Sequence, residues 1–413
     1  MPDYYVNPTT GNDGNPGTSS SPVRTITRAT ELAAIVDRAT GTIFIDPGTY
    51  SSREDFPILV PPAFGLQGRG STPNDCRIEF TGGVSDSVAV QGGASVRNLT
   101  VVAAPPAGAP RSCNFSIGLL ITVDGCELEN IGNKLHESEP EDGVGFGIGI
   151  WIKGADARAS HLEIERSTLY VSDSDSVITE CRATSGSITV GGEGAMRVEN
   201  CSLTNSRLAV YTSTSAVVEG NWLNGEGISV LGNGLASAVG PIIRSNIVRN
   251  GLYDALVCRL PGTALVERNT ISAKRRTVSI LEGGSPFLRN NDFKLLNPDG
   301  DTRFTEEHVL WVAPGRTIGP GPCFEGNLFT IGPGLYPLRP MWVNGPADFG
   351  GGIGRSIDMN FFRLPPGLFI DFDHPGQAYA RDNFWNYLPP QYRDGPDTTV
   401  DTEGARLDPA RVR

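Results

Sequence analysis

The densest set of groups able to move protons lies in "HESEPED", where His136, Glu137, Glu139, Glu141 and Asp142 crowd into seven positions. Crowded carboxylates raise one another's pKa, so one stays protonated as a general acid while a neighbour stays ionised. The run leads into "GIGIWIKG", which brings Trp151 and Lys153, and Tyr170 follows. An outward indole or phenol on a β-face offers a ring on which a sugar can stack. Two chemistries fit. A glycoside hydrolase would take two of Glu137, Glu139, Glu141 and Asp142 as acid and base or nucleophile. A polysaccharide lyase would use Lys153 or His136 to take the proton beside a neutralised uronate carboxyl. The assignment is His136, Glu141, Asp142 and Lys153 as catalytic groups, with Trp151, Tyr170, Tyr211 and Arg259 binding substrate. The plainer reading is a solvated acidic loop that covers Trp151.

A second set comprises Asp299, Asp301, Arg303, Glu306, Glu307 and His308, just before Trp311. "DGD" could give oxygen to calcium, but three residues fall far short of an EF-hand loop. "GNDGN" at 11–15 is explained by a turn alone. The expectation is therefore no cofactor and no metal site, with calcium the one cation such oxygens would admit. Long insertions at 130–147 and at 294–307, 313–323, 329–340 and 344–356 wall a floor of short repeats. Seven repeat steps separate the two sets, roughly 34 Å at ~4.8 Å per step. Catalytic carboxyls must lie within about 5–10 Å. One dyad cannot use both sets, although an oligosaccharide could span them and a small substrate would use one.

The elements that position these groups are legible in a register of asparagines. Asn221, Asn246, Asn269, Asn291, Asn327, Asn360 and Asn383 each follow an apolar residue three positions earlier: Val218, Ile243, Val266, Leu288, Phe324, Ile357 and Ala380. Carried backward, the register lands on Cys201, Cys181, Leu162 and Cys126, with shortest steps of 19 to 25 residues. Such a period marks a solenoid, in which each repeat is one unit stacked on the next. The repeats hold no amphipathic helix, only short β-rich runs with small polar residues at the corners. The fold this predicts is all-β, a parallel β-helix. Asn suits a corner because it tolerates a left-handed backbone, and stacked amides can hydrogen-bond into a ladder. Alternation puts Ile150/Ile152, Leu169/Val171, Ile188/Val190, Leu208/Val210 and Ile228/Val230 inside. It puts Trp151, Lys153, Tyr170, Ser172, Thr189, Tyr211, Ser229, Leu231 and Cys258 outside.

Net charge is −12 in 413 residues, and nothing basic clusters to meet phosphates, which argues against nucleic acid and, less strongly, against bare polyanionic sugars unless a cation bridges. No stretch approaches 18 apolar residues, so no membrane partner is expected. Cysteine is odd in number at seven, without CxxC or zinc spacing, and reads as buried reduced thiols, although Cys181 and Cys201 on successive rungs could pair. The opening "MPDYYVNPTTG" lacks the charged and apolar regions of a leader. The expectation is a cytoplasmic protein, or a secreted one where a signal has been trimmed away.

"YYVNP" reads as a strand, and Thr25 or Thr27 can cap a helix through about Ala39 with Ile26, Ala29, Leu32, Ala33 and Val36 on one face. Such a helix would cover the open end of a solenoid, whose strand edges would otherwise pair with another chain. "YYVNPTTGNDGNPGTSSSPVRTITRATELA" followed by "GTIFIDPGTY" resembles the N-terminal module of bacterial right-handed parallel β-helix proteins of the pectin-lyase-like superfamily. It is most similar to a domain family of unknown function that opens such helices. The resemblance covers about the first 70 residues and implies a right-handed β-helix and often carbohydrate chemistry. The clustered calcium-binding aspartates and positioned lysine base of related lyases, and the paired aspartates of polygalacturonases, are not recognisable here, so no family catalytic residue is carried over. One β-helix domain over 1–390, opened by a cap unit at 1–50 and followed by an extended polar tail at 391–413, is the expected organisation. The functional expectation is a carbohydrate-active lyase or hydrolase with an oligosaccharide along the outer face. The alternatives are a non-catalytic β-helix binding glycan or protein, and a small-metabolite enzyme using the C-terminal loops.

Overall fold

Three-residue strands separated by single left-handed residues are the unit of construction. In the computed structural model, the structure describes residues 2–36, 39–81, 87–104, 116–135, 148–172, 175–211, 215–232, 240–259, 264–281, 284–296, 307–314, 322–332, 341–345, 347–349, 360–364, 370–373, 376–381, 383–385, 392–394, 398–403 and 405–407. They form a right-handed parallel β-helix. The chain divides into two compact units, Met1–Ser202 and Leu203–Arg413.

In the first unit, one coil shows the plan. Strand Arg158–Ser160 is followed by His161 at φ 54°, strand Glu163–Glu165 by Arg166 at φ 53°, and then strand Thr168–Ser172 closes the coil. The next coil repeats it with Val177–Thr179, Glu180 at φ 55°, Arg182–Thr184, Ser185 at φ 51° and Ser187–Gly191. Each strand pairs in parallel with its counterpart, Arg158 with Val177, Glu163 with Arg182 and Thr168 with Ser187. A parallel pairing in register stacks like on like, so Ile164 sits over Ala183 and Leu169 over Ile188, all buried. The inward pairs Ile150/Ile152, Leu169/Val171 and Ile188/Val190 are all fully buried, as the alternation predicts.

The unit opens with strand Tyr4–Val6 and helix α1, Ile26–Ile35. Thr25 is the N-cap, its hydroxyl accepting from the Arg28 N–H at 3.1 Å. The Glu54 carboxylate takes the next free donors, the Ile26 and Thr27 N–H groups at 3.0 and 2.8 Å. Ile26, Ala29, Thr30 and Ala33 are the buried face, packed against strands Tyr4–Val6, Gly41–Ile45 and Ile58–Val60. The helix stops at Ile35, short of Ala39, because Val36 turns to an extended backbone and both residues face solvent.

The second unit keeps the plan and changes the corner. Asn246 Oδ1 accepts from both the N–H and the side-chain amide of Asn221, each at 3.0 Å. Asn246 in turn donates to Asn269 Oδ1 at 3.0 Å and to the Val218 carbonyl at 3.0 Å. The same pattern runs through Asn269, Asn291, Asn327, Asn360 and Asn383. The carbonyl each amide meets belongs to the apolar residue three before the previous asparagine: Ile243, Val266, Leu288 and Phe324. The apolar spacing seen in the sequence is therefore the spacing of the ladder's own acceptors. Just outside it, Glu219, Arg244, Glu267, Arg289 and Glu325 stack in register with alternating sign. Arg244 meets Glu219 at 2.7 Å and Arg289 meets Glu267 at 2.6 Å.

Three expectations need correction. Where the preceding residue is described, it and not the asparagine is the left-handed one, at Gly220, Ser245, Arg268, Asn290 and Gly326, so the ladder residue is chosen for its amide and not for its φ. Cys126 is off the register: Glu163 pairs with Gly132 and Arg182, which puts Ile131 in line with Leu162 and Cys181. Cys126 instead lines up with Ala157, because Glu127 pairs with Arg158. Cys258 points inward, between Val230 and Ile280 and only 3% exposed, since Leu256 sets the inward phase of its strand. All six described cysteines, Cys76, Cys126, Cys181, Cys201, Cys258 and Cys323, are buried free thiols. Burial pushes Cys126 and Cys258 up to about 12.

Candidate functional site

In the first unit, the outer row of the long-strand sheet reads Leu59, Gln91, Leu120, Trp151, Tyr170 and Thr189 on successive strands. Trp151 and Tyr170 are brought together, ring centroids 5.6 Å apart at 53°. The Lys153 ammonium lies over the indole, 3.8 Å from its centroid. The indole N–H donates to Ser172 Oγ at 3.0 Å, which fixes the ring across the neighbouring strand. Ser172 is outward, as expected, but buried under that ring. One face of Trp151 is thus taken by a cation, and the ring is half-buried. Lys153 is exposed. His136, Glu141 and Asp142 lie outside the described residues, as do Glu137 and Glu139.

Tyr211 and Arg259 belong to the second unit and share one outer row, with Leu231 between them and Leu281 beyond. The neighbouring row carries more chemistry: Ser279, Trp311, Trp342, Asp371 and Arg393 on successive strands. Trp311 and Trp342 stack, 6.2 Å apart at 18°. Both stay partly exposed. The Arg276 guanidinium lies 4.6 Å from the Trp311 centroid and pairs with Asp254 at 3.5 Å. Ser279 Oγ donates to Asp254 Oδ1 at 2.6 Å, fixing that carboxylate. His308, 4% exposed, packs 6.3 Å from Trp311 and 5.9 Å from Trp342. Glu307 beside it is also buried. Asp371 is held by Arg393, which donates at 2.7 Å from Nε and 3.2 Å from its terminal nitrogen.

The sequence placed His308 and Trp311 in one set but missed Arg276, Trp342 and Asp371 as their neighbours. The signal was available: parallel register puts Arg276 opposite His308 and Trp342 opposite Trp311. Reading it needed the place of each loop within its coil, which the asparagine spacing does not give. Asp299, Asp301, Arg303 and Glu306 lie outside the described residues. Among the described residues, no three His, Cys, Asp or Glu side chains converge as metal ligands do. The "GNDGN" segment is a turn in which Asn12 Oδ1 accepts from Gly14 and Asp13 Oδ1 accepts from the N–H groups of Arg24 and Thr25. No described helix is long and apolar enough to cross a membrane.

Asp254 and Asp371 are four strand steps apart, roughly 19 Å at ~4.8 Å per step. That is too far for the acid and nucleophile of a glycosidase, which need about 5–10 Å. The cluster offers instead a cation, two stacked indoles and an imidazole.

Residues 9–101 match the profile of a family described as a protein of unknown function, DUF1565. The match covers the opening part of the chain, the region that carries the resemblance noted in the sequence. No curated protein matches the chain. Among solved structures, the A-module of a mannuronan C-5 epimerase from Azotobacter vinelandii aligns over 93% of this chain and 94% of its own, at 12% identity and a TM-score of 0.41. Tailspike protein 3 of bacteriophage CBA120 aligns over 97% of this chain at 11% identity and a TM-score of 0.47, and the chain spans 61% of its length. The catalytic unit of a GH87 α-1,3-glucanase from Streptomyces thermodiastaticus aligns over 92% of this chain and 67% of its own, at 10% identity and a TM-score of 0.41.

Proposed function

We propose that this protein is a carbohydrate-active β-helix that binds an anionic oligosaccharide on the outer face of its second unit, across Trp311 and Trp342. The observation that carries the reading is the stacked indole pair on successive strands with Arg276 against the first ring. Aromatic rings take the apolar face of a sugar, and a guanidinium takes a carboxylate. His308 is the group in the cluster whose ordinary pKa lies near neutrality, which suits a base. The reaction that fits is elimination. Arg276, paired with Asp254 on one side, turns its remaining N–H groups to the uronate carboxyl, His308 takes the adjacent proton, and the C–O bond to the leaving sugar breaks to give an unsaturated uronate, the departing oxygen taking a proton from water. Hydrolysis fits less well, because Asp254 and Asp371 are each engaged by an arginine and lie too far apart.

The engagement of both carboxylates also favours a second reading, a non-catalytic glycan-binding β-helix. A panel of polyuronates and neutral glycans separates the two. Unsaturated-uronate absorbance from a polyuronate, lost in His308→Asn, supports elimination. Saturable binding with no product supports the binding protein. New reducing ends without unsaturated product would point to hydrolysis, and absence of any binding or turnover would sink both readings.

A further inference from the structure

The opening module contains a cavity of about 240 Å³, lined among others by Arg24, Arg53, Thr49, Ser51, Ser52 and Glu54. Its charge balance is unusual for an acidic chain. Glu54 contributes the carboxylate, yet both its oxygens are turned to helix α1, accepting from the Ile26 N–H, the Thr27 N–H and the Thr27 hydroxyl at 3.0, 2.8 and 2.8 Å. Burial pushes the Glu54 carboxyl up, and the Thr27 and Ile26 N–H groups pull it back. Thr25 and Tyr50, which also line the space, are spent as well: Thr25 on capping the helix and on Asp13, Tyr50 on the Asp46 carbonyl at 2.7 Å.

The two arginines are differently placed. Arg24 is anchored through Nε to the Gly11 carbonyl at 2.8 Å, which orients its guanidinium. Arg53 has no ion-pair partner among the described residues and is exposed. Two arginines therefore line one small cavity whose single lining carboxylate is already committed. The hydroxyls of Thr49, Ser51 and Ser52 add donors and acceptors at the same rim. The volume falls below the ~300 Å³ at which drug-sized sites begin, so the occupant is small, about one sugar ring.

We propose that this cavity binds a small molecule carrying an oxyanion, a one-ring sugar acid or sugar phosphate, with Arg24 and Arg53 on the charged group and the Thr49, Ser51 and Ser52 hydroxyls on the ring. It is a separate site from the indole cluster and does not depend on the elimination reading. Planar guanidiniums match both carboxylate and phosphate, so one chemistry serves two sources.

Calorimetric titration of the full chain with glucuronate, glucose 6-phosphate, inorganic phosphate and glucose tests the site. Saturable binding of glucuronate alone identifies a carboxylate ligand, and binding of glucose 6-phosphate or phosphate identifies a phosphate ligand. Glucose should not bind. Arg53→Gln should weaken the anion by about tenfold or more, the loss of a charged hydrogen bond. Because Arg53 is exposed, its variant should melt like the parent, and Arg24→Gln should act in the same direction. Trp311→Ala should leave this binding unchanged. Absence of saturable anion binding overturns the proposal. So does equal binding of glucose, parental affinity in both well-folded arginine variants, or loss of the anion in Trp311→Ala.

Discussion

The two units use the same corner and fill it differently. In both, a left-handed residue precedes the ladder position: His161, Glu180 and Asn200 in the first unit, Gly220, Ser245 and Arg268 in the second. In the first unit the next residue is Leu162, Cys181 or Cys201, fully or almost fully buried. In the second it is asparagine, buried to 2% or less and bonded to the rungs on either side. The outer column differs in step. Glu129, Ser160, Thr179 and Glu199 carry no alternation of sign, whereas Glu219 through Glu325 alternate at every rung. A leucine corner is held by packing, and the thiol corners add weak hydrogen bonds from Cys181 to the Thr179 carbonyl at 3.3 Å and from Cys201 to the Glu199 carbonyl at 3.4 Å, an arrangement that tolerates some variety of residue. An amide corner is held by a network in which every member needs its neighbour, so a single replacement strands its partners.

The largest expected effect therefore falls in the second unit. Asn269→Leu removes the acceptor for both the N–H and the amide of Asn246, and a donor to Ile243 and Asn291. Each stranded buried group costs about 1–3 kcal/mol, so the loss should reach about 3 kcal/mol or more in a denaturant titration. A loss below that of Cys181→Ala would show that the amides contribute no more than filler. Leu162→Ala, at the same position of the first unit, should cost about 2–4 kcal/mol through its cavity alone. The converse exchange sharpens the comparison: Cys181→Asn puts a larger side chain among Leu162, Cys201 and the Thr179 carbonyl that the thiol now meets, and should destabilise through its added bulk, by less than Asn269→Leu, although asparagine is the second unit's own choice. Smallest of all, Glu219→Lys sets a like charge against Arg244 in a part-exposed pair and should cost about 1 kcal/mol, less at high salt.

The same pair of regions shows what a sequence reveals. The parallel β-helix was readable because each rung of the second unit repeats an apolar residue and an asparagine, and those two are hydrogen-bonded to one another across rungs. The inward residues followed from alternation alone. The register failed at Cys126, where strand Glu127–Leu135 runs continuously through a corner that other coils break, so no second signal marked the true position at Ile131. Cys258 failed because its strand changes length ahead of Leu256, and alternation counted from the wrong end flips every side chain. The candidate site was half legible. Trp151, Lys153 and Tyr170 could be brought together from local spacing. Asp254, Arg276, His308, Trp342 and Asp371 come together only through pairings 22 to 32 residues apart, with loops of different length between them.

Both regions also carry an aromatic pair with a cation on the first ring: Trp151 and Tyr170 with Lys153, Trp311 and Trp342 with Arg276. They differ in what surrounds the pair. The first has its indole N–H committed to Ser172, while the second adds His308 and two arginine-held carboxylates. Polyuronate binding measured side by side for Trp151→Ala and Trp311→Ala, each first shown to be folded, decides between them. Loss of binding in Trp311→Ala with near-parental affinity in Trp151→Ala is the result expected of a saccharide site in the second unit. Parental affinity in Trp311→Ala, with or without loss in Trp151→Ala, would contradict it.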